Sequence, residues 1–329
     1  MSDPAIIVED LVKLYKSRTD HPVRALDGLS ISVGNGEIFG LLGRNGAGKT
    51  TLLRILTTLI RPTSGRVSVL GLDVSERQLE IRRNICVVLQ ETAVELYLSV
   101  RDNLDTYARF QGVPRVLIPE RIKKVTEQFG LGDVLQQKTI DLSGGLKRRV
   151  QVAKVFMVDK PVIFLDEATM GMDAINKRAT LNAIHEETLK GRTIVLTTHI
   201  LEEAEELCDK VAIIDRGKIV ASGDLPTIKS IVSGTIDIIL TFETLTDEVL
   251  RQLKTLPLQK FSQAGNTVEL CLRVDHLTVL DYVAQLARSA KVLNVEVATT
   301  SLEDAFIEII DRIRPSETGA PESLSHDER

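Results

Sequence analysis

An apolar run, Ile38–Leu42, leads directly into Gly43-Arg44-Asn45-Gly46-Ala47-Gly48-Lys49-Thr50-Thr51, and a helical stretch over 51–59 follows. The nonapeptide fits G-x-x-x-x-G-K-[ST], and its place between a strand and a helix is the one a phosphate-binding loop requires. Glycines let successive backbone N–H groups turn inward around phosphate oxygens, and the helix N-terminus adds partial positive charge. The pattern predicts Lys49 on the β- and γ-phosphates of a nucleotide and the Thr50 hydroxyl on Mg²⁺. A glycine-rich turn with a chance lysine would need neither the strand before it nor the helix after it.

Such a loop needs sheet and helix around it, and residues 1 to about 225 supply them by alternating short apolar runs with amphipathic stretches. Residues 6–8 and 29–33 read as early strands, and 162–165 and Thr193–Thr198 as buried ones. Residues 212–220 read as a hairpin turning at Asp215-Arg216-Gly217. The stretch 92–159 is helical in pattern, is punctuated by Pro114 and Pro119, and reads as an inserted lobe. After Pro226 the pattern changes: strands over 235–242, 259–261, 268–274 and 292–297 and helices over 246–253 and 277–288 give the order βαββαβ, a ferredoxin-like arrangement, with Leu302–Ile313 as a closing helix. From Pro315 the chain is rich in Ser, Glu, Pro and Gly and is expected to be disordered. The expected organisation is a nucleotide-binding domain over 1–228, an accessory domain over 229–313 and a tail over 314–329.

The 329 residues suit about two domains of roughly 100–200 residues each. With 43% hydrophobic and 26% charged residues, the chain is excluded from the disordered and collagen-like classes. No uncharged apolar run reaches the roughly 18 residues of a spanning helix. Asp3, Glu9 and Asp10 stand where a signal peptide needs base. The chain is therefore expected in the cytosol, without itself crossing a membrane. A net charge of −5 argues against a nucleic-acid surface. The short basic clusters 121–124 and 147–149 read as solvated helix faces. Cys86, Cys208 and Cys271 are odd in number, far apart and without Cys-x-x-Cys, and read as reduced thiols.

Two further elements carry chemistry. At 162–167, four apolar residues end in Asp166-Glu167, and carboxylates at the C-terminal end of a buried strand sit where ligands bind in open α/β sheets. Asp166 fits the metal-side carboxylate, and Glu167 fits the base that polarises an attacking water. Leu142-Ser143-Gly144-Gly145, followed by a helical run over 147–158, is locally an N-cap.

Placed between the phosphate loop and the Asp-Glu strand, Leu142–Gly145 resembles the signature of the ATP-binding-cassette ATPases. The resemblance implies an α/β P-loop ATPase core with an antiparallel β subdomain and an inserted helical lobe, and it implies ATP and Mg²⁺ as cofactors. In that family the tip formed here by Ser143, Gly144 and Gly145 holds the ATP of the other protomer. Tyr15 resembles the aromatic that stacks on adenine, which needs only a π face. Gln90 resembles the glutamine that contacts Mg²⁺ and the attacking water and links the site to a membrane partner. Gly171-Met172-Asp173 resembles the loop whose Asp173 faces the other protomer, and His199 resembles the switch histidine near the γ-phosphate. Two departures stand out: Glu167-Ala168-Thr169 replaces the usual Glu-Pro-Thr, and Met172 the usual Leu. Neither removes a chemical group. Leu146 in place of the commoner Gln resembles the branch that pairs with type-2 membrane subunits.

Ser301-Leu302-Glu303-Asp304-Ala305-Phe306 resembles the small extra domain of the daunorubicin-resistance type of ATP-binding subunit. The resemblance thus implies the ATP-hydrolysing subunit of an ABC-2-type exporter. It would work as a homodimer at the cytoplasmic face of the membrane, on a separate permease, with no nucleic-acid partner. The cargo would be drug-like, a lipid or a glycan. The C-terminal unit reads as a dimer brace, with ligand sensing as its alternative. A soluble cassette ATPase acting on DNA or ribosomes is the rival reading. Its members carry long coiled coils or two cassettes, whereas about 90 residues without sustained heptads separate Lys49 from Ser143 here. A small-molecule kinase would leave Leu142–Gly145 and His199 unexplained.

Overall fold

A computed structural model describes residues 4–16, 21–90, 93–232, 236–272, 276–299 and 301–313. The expected tail over 314–329 lies outside them, as do Thr92, Thr235 and Val274. The chain forms two compact units that divide between Leu225 and Pro226.

The first unit opens with β1 (Ile6–Tyr15) and β2 (Val23–Val33), both longer than the apolar runs inside them predict. Three register shifts interrupt their pairing, which breaks the period-2 alternation that would have revealed the full lengths. The central strand β3 (Ile38–Leu42) runs into the glycine loop, and α1 (Lys49–Leu56) follows it, two residues earlier at its start and three at its end than predicted. Next come β4 (Ser64–Val69), β5 (Leu72–Asp73), α2 (Gln78–Asn84) and β6 (Ile85–Val88). The predicted lobe holds α3 (Val100–Phe110), α4 (Ile118–Gln128) and α5 (Gly144–Val155). Ser99 caps α3 by accepting from Asp102 N–H at 3.0 Å, and Pro119 sits in the first turn of α4, where no N–H is needed. The unit closes with β7 (Val162–Asp166), α6 (Ala174–Thr188), β8 (Thr193–Thr198), α7 (Leu201–Leu207) and the hairpin β9 (Lys210–Asp215) and β10 (Lys218–Asp224).

Two sheets result. One is antiparallel, four-stranded, in the order β2-β1-β4-β5; the other is six-stranded, in the order β10-β9-β3-β8-β7-β6. In the second, every pair is parallel except the β9–β10 hairpin. Every residue of β3, β7 and β8 is buried, as strands covered on both faces require. Helix α1 joins the sheets: Leu52, Leu53, Ile55 and Leu56 pack in one core with Ile6, Leu11 and Leu29 of the antiparallel sheet and Phe39 and Phe164 of the parallel one. Each such fully buried side chain stabilises the unit by about 1.5–3 kcal/mol relative to exposure. Because β3, β6, β7 and β8 are parallel, the segments that follow them emerge along one edge. Those segments are the glycine loop, Gln90, Asp166-Glu167 and His199.

The basic cluster at 147–149 departs from expectation. Arg148 and Arg149 are 6% and 5% exposed, not solvated. Helix α5 is enclosed by the lobe and the sheet, and the guanidinium groups of both residues find backbone carbonyls there. In the other cluster Lys123 and Lys124 are exposed, while Arg121 is half-buried and binds Met157 O and Asp159. Cys86 and Cys208 are buried and Cys271 half-buried, and none of the three is in a disulfide among the described residues.

The second unit begins within α8 (Leu225–Val232). It continues with β11 (Ile236–Phe242), α9 (Asp247–Leu253), β12 (Leu258–Ala264), β13 (Thr267–Leu272), α10 (His276–Ser289), β14 (Val292–Thr299) and α11 (Leu302–Ile313). Its sheet has the order β12-β13-β11-β14, antiparallel throughout. This is the split βαβ arrangement that the order βαββαβ predicts. Phe242, Leu253, Val268 and Leu272 form its core.

Candidate functional site

The glycine loop ends at Gly48, whose φ of 116° lies where L side chains are strained. A Cβ there would also stand 2.8 Å from Ala25 O and 2.9 Å from Leu26 Cδ2, so only glycine lets β2 approach this closely. No side chain caps α1, which leaves its first N–H groups to face a ligand. The tip of the β9–β10 hairpin braces the loop: Gly217 N–H donates to Ala47 O at 2.8 Å, and Asp27 N–H of β2 donates to Gly217 O at 2.9 Å. Lys49 is 7% exposed and folds back over the loop, donating to Gly43 O at 2.5 Å and Arg44 O at 3.2 Å. Burial pulls its ammonium below the ordinary lysine value, and the charges of Glu167 and Asp166 pull it partly back.

Across the cavity stand the groups that end β7. Asp166 is 2% exposed; its Oδ1 accepts from Thr197 Oγ1 at 2.5 Å, and its buried Oδ2 has no hydrogen-bond partner among the described residues. Glu167 follows with φ 51°, an uncommon left-handed backbone for a side chain of this size. Its Oε1 lies 2.9 Å from His199 Nδ1 at the end of β8, and its Oε2 accepts from Gln90 Nε2 at 3.3 Å. Three strand ends thus bring Gln90, Glu167 and His199 into one row. That row and the loop enclose a cavity of about 460 Å³, walled by Asn45, Gly46, Ala47, Gly48, Lys49, Thr50 and Thr51, by Gln90, Asp166, Glu167 and His199, and by Ala25 and Met170. A cationic loop facing the carboxylates of Asp166 and Glu167 in one cavity can hold a polyphosphate and direct a water at it.

Other residues singled out from the sequence lie elsewhere. Gly43 and Arg44 belong to the loop through their carbonyls and not through the cavity wall. Tyr15 ends β1 off that wall, half-buried, with Lys13 Nζ 5.3 Å from its ring centroid. Ser143 caps α5 by accepting from Leu146 N–H at 3.3 Å, and Asp173 caps α6 by accepting from Asn176 N–H at 3.0 Å. The Asn176 backbone and side chain hold the Asp173 carboxyl below its usual range. Ser143, Gly144 and Asp173 are exposed, and none of them, nor Gly145, reaches the cavity wall of its own chain. Gly145 and the Asp173 loop touch: a Cβ on Gly145 would meet Gly171 O at 2.5 Å.

Two residues of the site carry no motif signal. Arg148 reaches the ends of β6 and β7 from α5. Glu203, 4% exposed, accepts from Thr169 Oγ1 at 2.6 Å and Thr198 Oγ1 at 3.1 Å and pairs with Lys177 at 2.9 Å, joining the loop after β7 to that after β8. Its spacing of four from His199, at the start of a helix, is the only hint the chain offers.

Comparison with known proteins agrees with this geometry. Residues 26–170 match the family described as ABC transporter. The chain is 35% identical over 241 residues to daunorubicin resistance ATP-binding protein DrrA3 of Streptomyces coeruleorubidus, covering 73% of this chain and 75% of that one. It is 31% identical over 309 residues to Nod factor export ATP-binding protein I of Neorhizobium galegae, covering 94% and 85%. Among solved structures, an ATP binding subunit of an ABC transporter matches with TM-score 0.63 and 27% identity over 69% of this chain and 93% of that one. CbiO1 of Clostridium perfringens, part of the ABC transporter complex cbiONQ, matches with TM-score 0.61 and 26% identity over 70% and 92%. With the loop, the paired carboxylates and this likeness together, the chain belongs to the ABC transporter family, as one of its ATP-binding ATPases.

Proposed function

We propose that this chain is the ATP-hydrolysing subunit of an ABC-2-type exporter, driving efflux of a drug-like, lipid or glycan substrate through a separate membrane permease. The hydrolytic assignment is carried by one observation: Glu167 shares a cavity with Lys49 and is held there between Gln90 and His199. A carboxylate in that position takes the proton of a water attacking the γ-phosphate. Lys49 and the loop N–H groups hold the β- and γ-phosphates, and His199 answers to the γ-phosphate. Tyr15 is assigned to the adenine. The buried, unpartnered Oδ2 of Asp166, with Thr50 and Gln90 on the same wall, is a hard-oxygen set that fits Mg²⁺. When bound there, Mg²⁺ supplies neutralisation of charge on the phosphate oxygens.

Ser143, Gly144, Gly145 and Asp173 are assigned to the site of a second copy, in a head-to-tail homodimer. That none of them lines the cavity of their own chain supports this. Relatives named for daunorubicin resistance and Nod factor export support the export reading over one on DNA or ribosomes. Among the described residues no helix is long and apolar enough to cross a membrane. We place the chain peripherally, on the cytoplasmic face of the permease, with the second unit bracing the dimer.

Glu167→Gln is expected to lower the rate of ATP hydrolysis by about 100-fold or more while sparing ATP binding, and to run as a dimer by light scattering in magnesium ATP. Turnover at the wild-type rate would overturn the base assignment. Copurification with a polytopic membrane protein is expected from membranes; copurification with DNA or ribosomes alone would favour the rival.

A further inference from the structure

The guanidinium of Arg148 connects three parts of the site that are far apart in sequence. From the second turn of α5, Nη1 donates to Leu89 O at 2.6 Å, to Gln151 Oε1 at 3.0 Å and more distantly to Gln90 O at 3.5 Å. Nη2 donates to Asp166 O and, at 3.0 Å, to Glu167 O. Gln151, one turn further along, reinforces the contact through Nε2 to Leu89 O at 2.9 Å. The carbonyls so held lie at the ends of β6 and β7, neighbouring parallel strands that lead into Leu89-Gln90 and into Glu167. Glu167 takes a left-handed backbone, and its peptide is pinned from the opposite side where its N–H donates to Thr197 O at 3.0 Å. A planar fork reaches two strand ends at once; an ammonium, a single point, does not.

We propose that Arg148 is a positioning residue for hydrolysis, holding the backbones of Gln90 and Glu167 at the separation the attack on ATP needs and tying that separation to the placement of α5. The proposal rests on Glu167 as the base. It makes α5, capped by Ser143, a direct support of the carboxylate in its own chain. A displacement of the strand ends by about an ångström is enough to slow chemistry by about 100-fold without altering how the substrate is held.

The test compares Arg148→Lys and Arg148→Met with Glu167→Gln and with the double variants, in the full-length protein. Arg148→Lys keeps the buried cation and is expected to melt near the wild-type temperature. Its KM for ATP stays within about 2-fold, while its kcat falls by at least about 10-fold, and Arg148→Met falls further. In the Glu167→Gln background, neither Arg148 substitution lowers the single-turnover rate again, because Arg148 acts through the placement of the Glu167 carboxylate. Wild-type kcat in Arg148→Lys, beside a slow Glu167→Gln, would overturn the positioning role and leave the base intact. Losses that multiply in the double variant would overturn it too, by making Arg148 independent of Glu167. Wild-type turnover in Glu167→Gln would remove the base and this role with it.

Discussion

Lys49 is the residue whose environment has the clearest consequence for binding. Burial lowers its ammonium pKa, and the protonated form is the one that attracts phosphate. That charge is lost, as pH rises, earlier than from an ordinary lysine. ATP affinity measured by calorimetry is expected to weaken as pH rises, and to do so at lower pH than an ordinary lysine would give. Lys49→Arg, which stays charged, is expected to flatten that fall. Residues such as Lys49, Asp166 and Glu167 were legible in the sequence because their chemistry needs a fixed residue type at a fixed distance from a strand end. Arg148 was not, because it acts on backbone carbonyls, which every residue carries. Beside Lys147 and Arg149, its charge reads as a solvated face, and only the enclosure of α5 buries it.

At the level of elements, legibility followed burial. Strands β3 and β8 match their apolar runs end to end, and β7 exceeds its run only by Asp166. Such strands lie between layers, and the buried polar residues of β7 and β8 stand toward the strand ends. Strand β4, with the burial pattern eeeBiB, shows no comparable run, and its place in the antiparallel sheet comes from pairing with β1. Phe164, 0% exposed in β7, packs in the core that joins the two sheets through α1. Phe164→Ala is expected to cost about 4 kcal/mol, and calorimetry of the first unit should show a melting temperature lower by about 10 °C. Because β7 ends in Asp166 and leads into Glu167, the same variant is expected to lose hydrolysis near its new melting temperature and not before.

For the whole molecule, the division between Leu225 and Pro226 separates a unit that contains every wall residue of the cavity from one that contains none. The second unit has its own core, around Phe242, Leu253 and Val268, and its own sheet. If it braces the dimer as proposed, it contributes to association and not to chemistry. Truncation after Val232 is expected to raise the concentration at which magnesium ATP dimerises the Glu167→Gln variant, by sedimentation. The rate per dimer of the otherwise native truncated chain is expected to stay within about 2-fold at saturating protein. A truncated dimer as tight as the full one would end the brace reading in favour of a sensing role.

The cap on α5 bears on how a second copy would engage. Ser143 receives the Leu146 N–H through an oxygen lone pair, and its hydroxyl proton has no acceptor among the described residues. A phosphate oxygen can accept that proton while the cap stays intact. The tip of the helix can therefore meet nucleotide without first fraying, and little rotamer freedom is lost at the moment of contact.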